Sequence, residues 1–241
     1  YTMTESVRDG ITVNLVYDGR AARVTLDNAK VKEIEQYYDQ CEAQGANEHQ
    51  IEESQKAVAK MEAIIGDPDR LCAVAKDFIH HYETRVAEGA MVAGKAMFVC
   101  MNRNIAYDLY KIIVEMRPQW SEKKISDDET ALTDKEKKEL KPIEKIKLVM
   151  TRSKDDEPAL YEMLGTKDDR KEFDRQFKNP KSNFKIAIVV DMWLTGFDVP
   201  ELDTIYIDKP IQQHTLIQTI SRVNRVCEGK EKGLIVDYIG I

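Results

Sequence analysis

Two short stretches near the end of this 241-residue chain carry residue types whose spacing could do chemistry. The first is D-M-W-L-T-G-F-D-V-P, Asp191 to Pro200, directly after the apolar run K-I-A-I-V-V. In a parallel α/β sheet the loop leaving a strand's carboxyl end faces the ligand crevice. Gly196 would let backbone approach a ligand closely, and Asp198 offers a carboxylate to a ribose hydroxyl. The same residues would serve equally well as a structural turn. The second stretch is Q-T-I-S-R-V-N-R, Gln218 to Arg225, in a helical context. Spacings of four and three put Gln218, Arg222 and Arg225 on one helical face. Two guanidinium forks so placed suit phosphate oxygens and match what an arginine finger supplies in phosphoryl transfer. A surface helix with ion-paired arginines is the plainer alternative, and the succession of the two stretches weighs against it.

A third stretch has the letters of a phosphate loop without its context. Gly89 to Ala96, G-A-M-V-A-G-K-A, matches G-x-x-x-x-G-K, but Ala96 stands where a magnesium-binding hydroxyl is needed, and a strand follows where a helix should. It is read as non-functional. Cys41, Cys72, Cys100 and Cys227 lie far apart, and the four histidines show no ligand spacing beside them. Neither a disulfide framework nor a metal site is expected, and the default compartment is a reducing cytoplasm. No apolar run reaches a membrane span's length, and the first residues lack a signal-peptide layout, so a soluble protein is expected.

The elements that must position these residues follow from periodicity. Ile11 to Leu26 alternates apolar and polar residues around Asp18-Gly19, the pattern of a β-hairpin, assigned to residues 1–26. From Lys30 to Glu88 apolar residues recur at helical spacing, with breaks at Gly45-Ala46-Asn47 and Gly66-Asp67-Pro68. This predicts three helices, a segment 27–92 packed on the rest. Beyond Gly94 short apolar runs alternate with helices, which specifies an α/β domain over 93–241 with a parallel sheet between helices. Within it, 120–142 is nearly all charged or small and reads as an exposed insertion.

The formal charge of −7 argues against nucleic-acid binding only as a bulk property. Lys30 to Glu88 holds thirteen acidic and seven basic residues, whereas Lys209 to Lys232 holds five basic and two acidic. An acidic flank and a basic end fit a protein that meets phosphates with one face.

The order strand, T-G-F-D loop, strand, Q-x-x-x-R-x-x-R helix resembles motifs V and VI of superfamily 2 helicases. Phe184 to Ile241 is similar, more specifically, to the restriction subunit of type I restriction-modification enzymes. G-K-A-M-F-V-C-M-N-R-N-I-A-Y-D-L-Y resembles the motif IV region, and Tyr1 to Arg20 the segment linking the two motor domains. Ser221 and Asn224 replace the glycines common in motif VI, a variant found in the type I family. The resemblance implies a RecA-like second motor domain of an ATP-dependent translocase. ATP and Mg²⁺ would be shared with a first motor domain. It implies nucleotide contacts for Gly196, Asp198 and Gln218, phosphate contacts for Arg222 and Arg225, and DNA-backbone contacts for Thr195, Arg103 and Thr151. The implied partners are double-stranded DNA and the modification and specificity subunits. Without the Walker A and B residues, the chain alone should not turn over ATP. Another superfamily 2 helicase, or a non-catalytic docking module, remains an alternative reading.

Overall fold

Residues 3–21, 58–211 and 213–239 are described in a computed structural model of the chain. Lys95–Cys100, K-A-M-F-V-C, has all six residues buried, the mark of a strand covered on both faces. It lies in the middle of a six-stranded parallel sheet. In chain order the elements are α1 (Met3–Arg8), β1 (Asn14–Gly19), α2 (Pro68–Ala87), β2 (Lys95–Cys100), α3 (Arg103–Met116) and α4 (Asp134–Glu139). There follow β3 (Ile146–Val149), α5 (Pro158–Met163), α6 (Lys167–Lys178), β4 (Ile186–Val189), β5 (Leu202–Asp208), α7 (Gln213–Ile220) and β6 (Lys232–Asp237). The strand order is β1-β6-β5-β2-β4-β3, and every pairing is parallel. The chain leaving β4 therefore crosses β2 to reach β5, so the T-G-F-D loop spans the middle of the sheet. Sheet and helices make the α/β architecture expected from the alternating runs, of the RecA-like kind that the resemblance implied.

Alternation along each strand sends side chains to two cores. Phe98, Tyr206, Ile186, Ile188 and Leu148 pack beneath α2 and α3 with Phe78, Val74 and Leu109. Met97, Val99, Ala187, Ile205 and Ile207 face the opposite side, with Phe177, Phe184, Trp193, Phe197 and Val223. Phe78 meets Tyr206 edge-on at 4.7 Å between ring centroids and Phe98 at 5.3 Å. Each fully buried aromatic or aliphatic side chain of this kind contributes about 1.5–3 kcal/mol.

The break at Gly66-Asp67-Pro68 is present as expected. Asp67 caps α2 by accepting from the Asp69 and Arg70 N–H groups, and Pro68 opens the helix. The break at Gly45-Ala46-Asn47 and the two helices before 58 lie outside the described residues. α2 does not stand apart from the sheet. Arg70 on α2 forms a two-pronged pair with Asp208 at the end of β5, at 3.0 and 2.5 Å, and also donates to the carbonyls of Ile65 and Tyr238. Arg20 and Tyr238 both donate to Asp77 on the same helix.

One expectation changes. Asp18-Gly19 is not a hairpin turn: both residues lie within β1, paired in parallel with Val236 and Asp237 of β6. The alternation was a true strand signal, but the partner comes from the far end of the chain. The Arg20 guanidinium on Asp18 and the Tyr17 hydroxyl on Asp237 fasten this end of β1. Residues 22–26, the supposed second arm, lie outside the described residues. The charged segment 120–142 is exposed along much of its length, yet it is anchored. Trp120, Ser126, Leu132 and Leu140 are buried, and Lys124 bridges Ile143 through backbone hydrogen bonds in both directions. Among the described residues no helix is long and apolar enough to cross a membrane.

Candidate nucleotide and phosphate site

The loop after β4 bends through two residues in left-handed backbone. Trp193 has φ of 67° and Gly196 has φ of 68°. For a tryptophan this conformation costs about 1–3 kcal/mol, and packing supplies the offset. Its ring stacks on Phe197 at 4.1 Å, nearly parallel, and lies 5.2 Å from Phe177. Trp193, Leu194, Phe197 and Val199 are buried in the core, while Thr195, Gly196 and Asp198 between them are exposed. Nothing lies within 4 Å of a Cβ built on Gly196, so open space adjoins this backbone.

The two arginines meet this loop from the other side. Arg222 donates through Nη1 to the Phe197 carbonyl at 2.6 Å and through Nε to the Gln218 carbonyl at 3.2 Å. Arg225 lies 3.5 Å from Asp198, and this pair is largely in solvent, with side chains 49% and 60% exposed. Exposed pairs of that kind contribute about 0–1 kcal/mol, so a phosphate could displace Asp198 cheaply. Burial lowers the pKa of Arg222, as does the neighbouring Arg225 charge, with Asp198 opposing. The cluster thus holds two cations against one exposed carboxylate, an excess of positive charge that an anion would relieve.

The shared helical face is not what unites them. α7 stops at Ile220, with Arg222 in the turn after it and Arg225 in an isolated bridge to Thr12. The helix ends because its last turn is tightened. Arg222 and Val223 N–H bond to carbonyls three residues back, and the Ser221 hydroxyl donates to the Gln218 carbonyl. Val223 is fully buried, and its carbonyl lies where only a glycine, Gly233 of β6, fits beneath it. Contact with the T-G-F-D loop, more than 20 residues upstream, brings Arg222 and Arg225 together with Asp198. Gln218 meets the cluster through its backbone carbonyl.

The N-terminal segment also reaches this site. Val13 N–H donates to the Asn224 carbonyl at 2.8 Å, beside the Thr12 bridge to Arg225. No local pattern could have shown this contact between the two ends of the chain. Thr195 is exposed on the loop itself. Arg103 and Thr151, in contrast, are brought together elsewhere, past the ends of β2 and β3. Arg103 donates to the Thr151 carbonyl at 2.6 Å and to both oxygens of Asp156 at 2.5 and 2.6 Å. Its charge is already neutralised. Lys95 of the G-x-x-x-x-G-K sequence is sealed in the core, its ammonium on the Phe184 carbonyl at 2.5 Å, so it faces no phosphate. Among the described residues no group of three or more His, Cys, Asp or Glu side chains could hold a metal ion.

Comparison with known proteins agrees with the resemblance. The family described as "Type I restriction enzyme subunit R domain 3" matches residues 92–240. The chain belongs to that family. The HindI type I endonuclease subunit of Haemophilus influenzae is 35% identical over 248 residues, and a putative type I endonuclease subunit of Methanocaldococcus jannaschii, MjaIXP, is 37% identical over 243. Each alignment covers 100% of this chain and 20% of the relative, so the R-subunit domain spans about a fifth of their length. A solved fragment of a putative HsdR subunit from Vibrio vulnificus YJ016 shares the fold, with a TM-score of 0.50, 12% identity, and coverage of 98% of this chain and 34% of that one.

Proposed function

We propose that this R-subunit domain is the second motor domain of an ATP-driven DNA translocase, working in the cytoplasm within a type I restriction endonuclease. The observation that carries the reading is the pair Arg222 and Arg225 over the T-G-F-D loop, a cationic cluster under-neutralised by one exposed carboxylate. Its donor set fits phosphate. Arg222 keeps its Nη2 for a ligand while Nη1 is anchored on Phe197, and Arg225 can exchange a solvent-exposed Asp198 for an anion. Gly196 presents open backbone, Asp198 offers its carboxylate to a ribose hydroxyl, and Gln218 holds Arg222 in place through its carbonyl.

ATP bound between this domain and a first motor domain would supply the phosphoryl bond whose hydrolysis drives movement. Mg²⁺ would be held by its phosphates and by groups of that first domain. The two guanidinium groups bind and orient the phosphates and offset charge that grows during transfer. By itself the domain hydrolyses no ATP, because its G-x-x-x-x-G-K lysine is in the core. Duplex DNA is gripped through its backbone, with Thr195 and Thr151 as exposed hydroxyls and Arg103 shaping the loop that carries Thr151. Sequence choice is left to a specificity subunit and methylation to a modification subunit.

The test is ATP hydrolysis by the complete subunit carrying Arg222→Ala or Arg225→Ala. Each change should lower kcat about 10³-fold or more, in the range of arginine fingers, with the fold retained. Lysine should restore little, because an ammonium lacks the planar fork. Undiminished hydrolysis in both alanine variants would reduce the cluster to a structural contact and return the chain to a docking module.

A further inference from the structure

The two arginines of the cluster are held in different ways. Arg222 is fixed through its own guanidinium, which donates to the Phe197 and Gln218 carbonyls. The Arg225 guanidinium meets an exposed carboxylate at 3.5 Å, a contact too weak to fix it, so its place is set through the backbone. That backbone leaves the tightened end of α7 at Val223 and enters β6 only at Lys232. Between the two it is met by the N-terminal segment. The Val13 N–H donates to the Asn224 carbonyl at 2.8 Å, and Thr12 stands opposite Arg225 in an antiparallel bridge. Residues opposed in this way send their side chains to the same side.

The segment that makes this contact is itself a built unit. α1 closes on Gly10 in left-handed backbone, φ 71°, with the Gly10 N–H on the Val7 carbonyl at 3.1 Å and the Ile11 N–H on the Ser6 carbonyl at 2.9 Å. This pair of bonds is how a helix end turns its chain back along itself. Thr12 then returns to the same helix residue, its N–H on the Ser6 carbonyl at 3.3 Å and its hydroxyl on the Ser6 hydroxyl at 3.0 Å. α1, the turn and Thr12 therefore move together and carry the partner of Arg225 with them. Burial fastens only one end of this clasp. Val13 is 8% exposed, whereas Ile11 and Val226, next in register across the bridge, are 60% and 50% exposed. Beside Arg225 the clasp is held by hydrogen bonds more than by apolar packing, and it can open without unfolding the sheet.

We propose that this clasp, from Ser6 to Val13, positions Arg225 for the phosphates, with Ser6 and Thr12 as positioning residues, so that its release disarms the arginine. The proposal rests on the motor reading. It gives the N-terminal segment control over the site: with the clasp closed the guanidinium is held to the cluster, and with it open Arg225 moves with an untethered turn.

The experiment follows ATP hydrolysis by the complete subunit in two variants of different strength. Val13→Pro removes the N–H given to Asn224 and should lower kcat about 10- to 10²-fold, within what a misplacement of about 1 Å can cost. Thr12→Val keeps the branched shape, removes the hydroxyl given to Ser6 and should lower kcat several-fold. Thr12→Ser keeps that hydroxyl and should hydrolyse at the parent rate. Each change is then combined with Arg225→Ala. A residue that works through Arg225 has nothing left to do once the guanidinium is gone, so neither change should lower kcat further in that background. A merely structural change reduces the folded fraction with or without the guanidinium and would lower both by the same factor. Should Val13→Pro fail to fold, Thr12→Val and Thr12→Ser decide the matter. Parent-level hydrolysis in the single variants, or an equal loss in the Arg225→Ala background, overturns the proposal. If Arg225→Ala itself hydrolyses ATP as the parent does, the arginine assignment of the motor reading fails and takes the clasp with it. If Arg225→Ala is impaired and the losses multiply, only the clasp has been misassigned.

Discussion

Arginine–aspartate pairs in two places on this sheet differ in nearly every physical respect. Arg70 and Asp208 are 3% and 0% exposed, joined by two hydrogen bonds, with two backbone carbonyls taking further donors of the guanidinium. Arg225 and Asp198 are about half exposed and 3.5 Å apart. The first pair fastens α2 to the ends of β5 and β6, and nothing from outside can reach it. The second fastens very little and leaves its cation available. A buried pair that loses one member strands a charge in low dielectric, while an exposed pair that loses one member gains water. Satisfaction and burial, rather than residue type, therefore separate the arginines that hold the fold from those placed to bind.

The sharpest way to break this comparison is to remove one member of each pair and follow stability. Asp208→Ala should destabilise the domain by about 3–5 kcal/mol, the cost of leaving a buried charge unpaired. Asp198→Ala should change stability by less than about 1 kcal/mol. Urea denaturation of the two variants measures both. A small effect at Asp208 would mean that water reaches Arg70, and the division between fastening and binding arginines would lose its basis.

The sequence disclosed these features unevenly, and the reason is range. β2, β4, β5 and β6 were legible because strands buried on both faces are continuous apolar runs. Gly66-Asp67-Pro68 was legible because an N-cap and a following proline act on their immediate neighbours. The parallel partner of β1 was not, since Asp18-Gly19 carries a local turn signal while β6 lies about 220 residues away. The meeting of Asp198 with Arg225 was foreseeable only as two motifs that belong together. The helix expected to unite Gln218, Arg222 and Arg225 ends at Ile220, because packing of Val223 over Gly233 is a tertiary constraint. Arg103 looked free for DNA, and nothing in the sequence around it marks Asp156 as its partner.

Burial without a guanidinium partner offers a finer version of the comparison, read through protons. Asp203 is 2% exposed, like Asp208, but it accepts from the Val92 N–H instead of an arginine. Burial pushes its pKa up to about 6, with Val92, Lys230 and Arg85 pulling the other way. The folded state then holds this proton more tightly than the unfolded chain, so the associated stability is present below about pH 4 and lost as pH rises through 6. His81, on Tyr206 at 2.8 Å, is displaced oppositely: burial, then Arg20 and Arg85, lower its pKa to about 4. Its stability is present above about pH 6.5 and lost as pH falls towards 4. The two effects oppose one another across the same window, that of Asp203 worth at most about 1.4 kcal/mol per unit of displacement and that of the half-exposed His81 less, because solvent screens it. Asp203→Asn should expose the histidine, so that the urea midpoint rises with pH relative to the parent between 4 and 6.5. His81→Gln should expose the carboxyl, and the midpoint should fall over that range. Profiles parallel to the parent in both variants would show that neither group is displaced.

The smallest effect concerns Gly196, where the exposed arginine cluster meets backbone in left-handed conformation. Nothing would touch an added Cβ there, so Gly196→Ala should cost only the backbone penalty of about 1–2 kcal/mol for an ordinary residue at positive φ. Asparagine tolerates that conformation better, and Gly196→Asn should recover part of the stability. The pair of substitutions separates two reasons for a glycine. If the position needs only its φ, the asparagine subunit should hydrolyse ATP with a KM close to the parent's. If a nucleotide must approach the backbone, both side chains obstruct it, and KM should rise several-fold in the asparagine variant even as its melting temperature recovers. A KM that tracks stability across glycine, asparagine and alanine would remove Gly196 from the binding site and leave its turn as part of the fastening architecture.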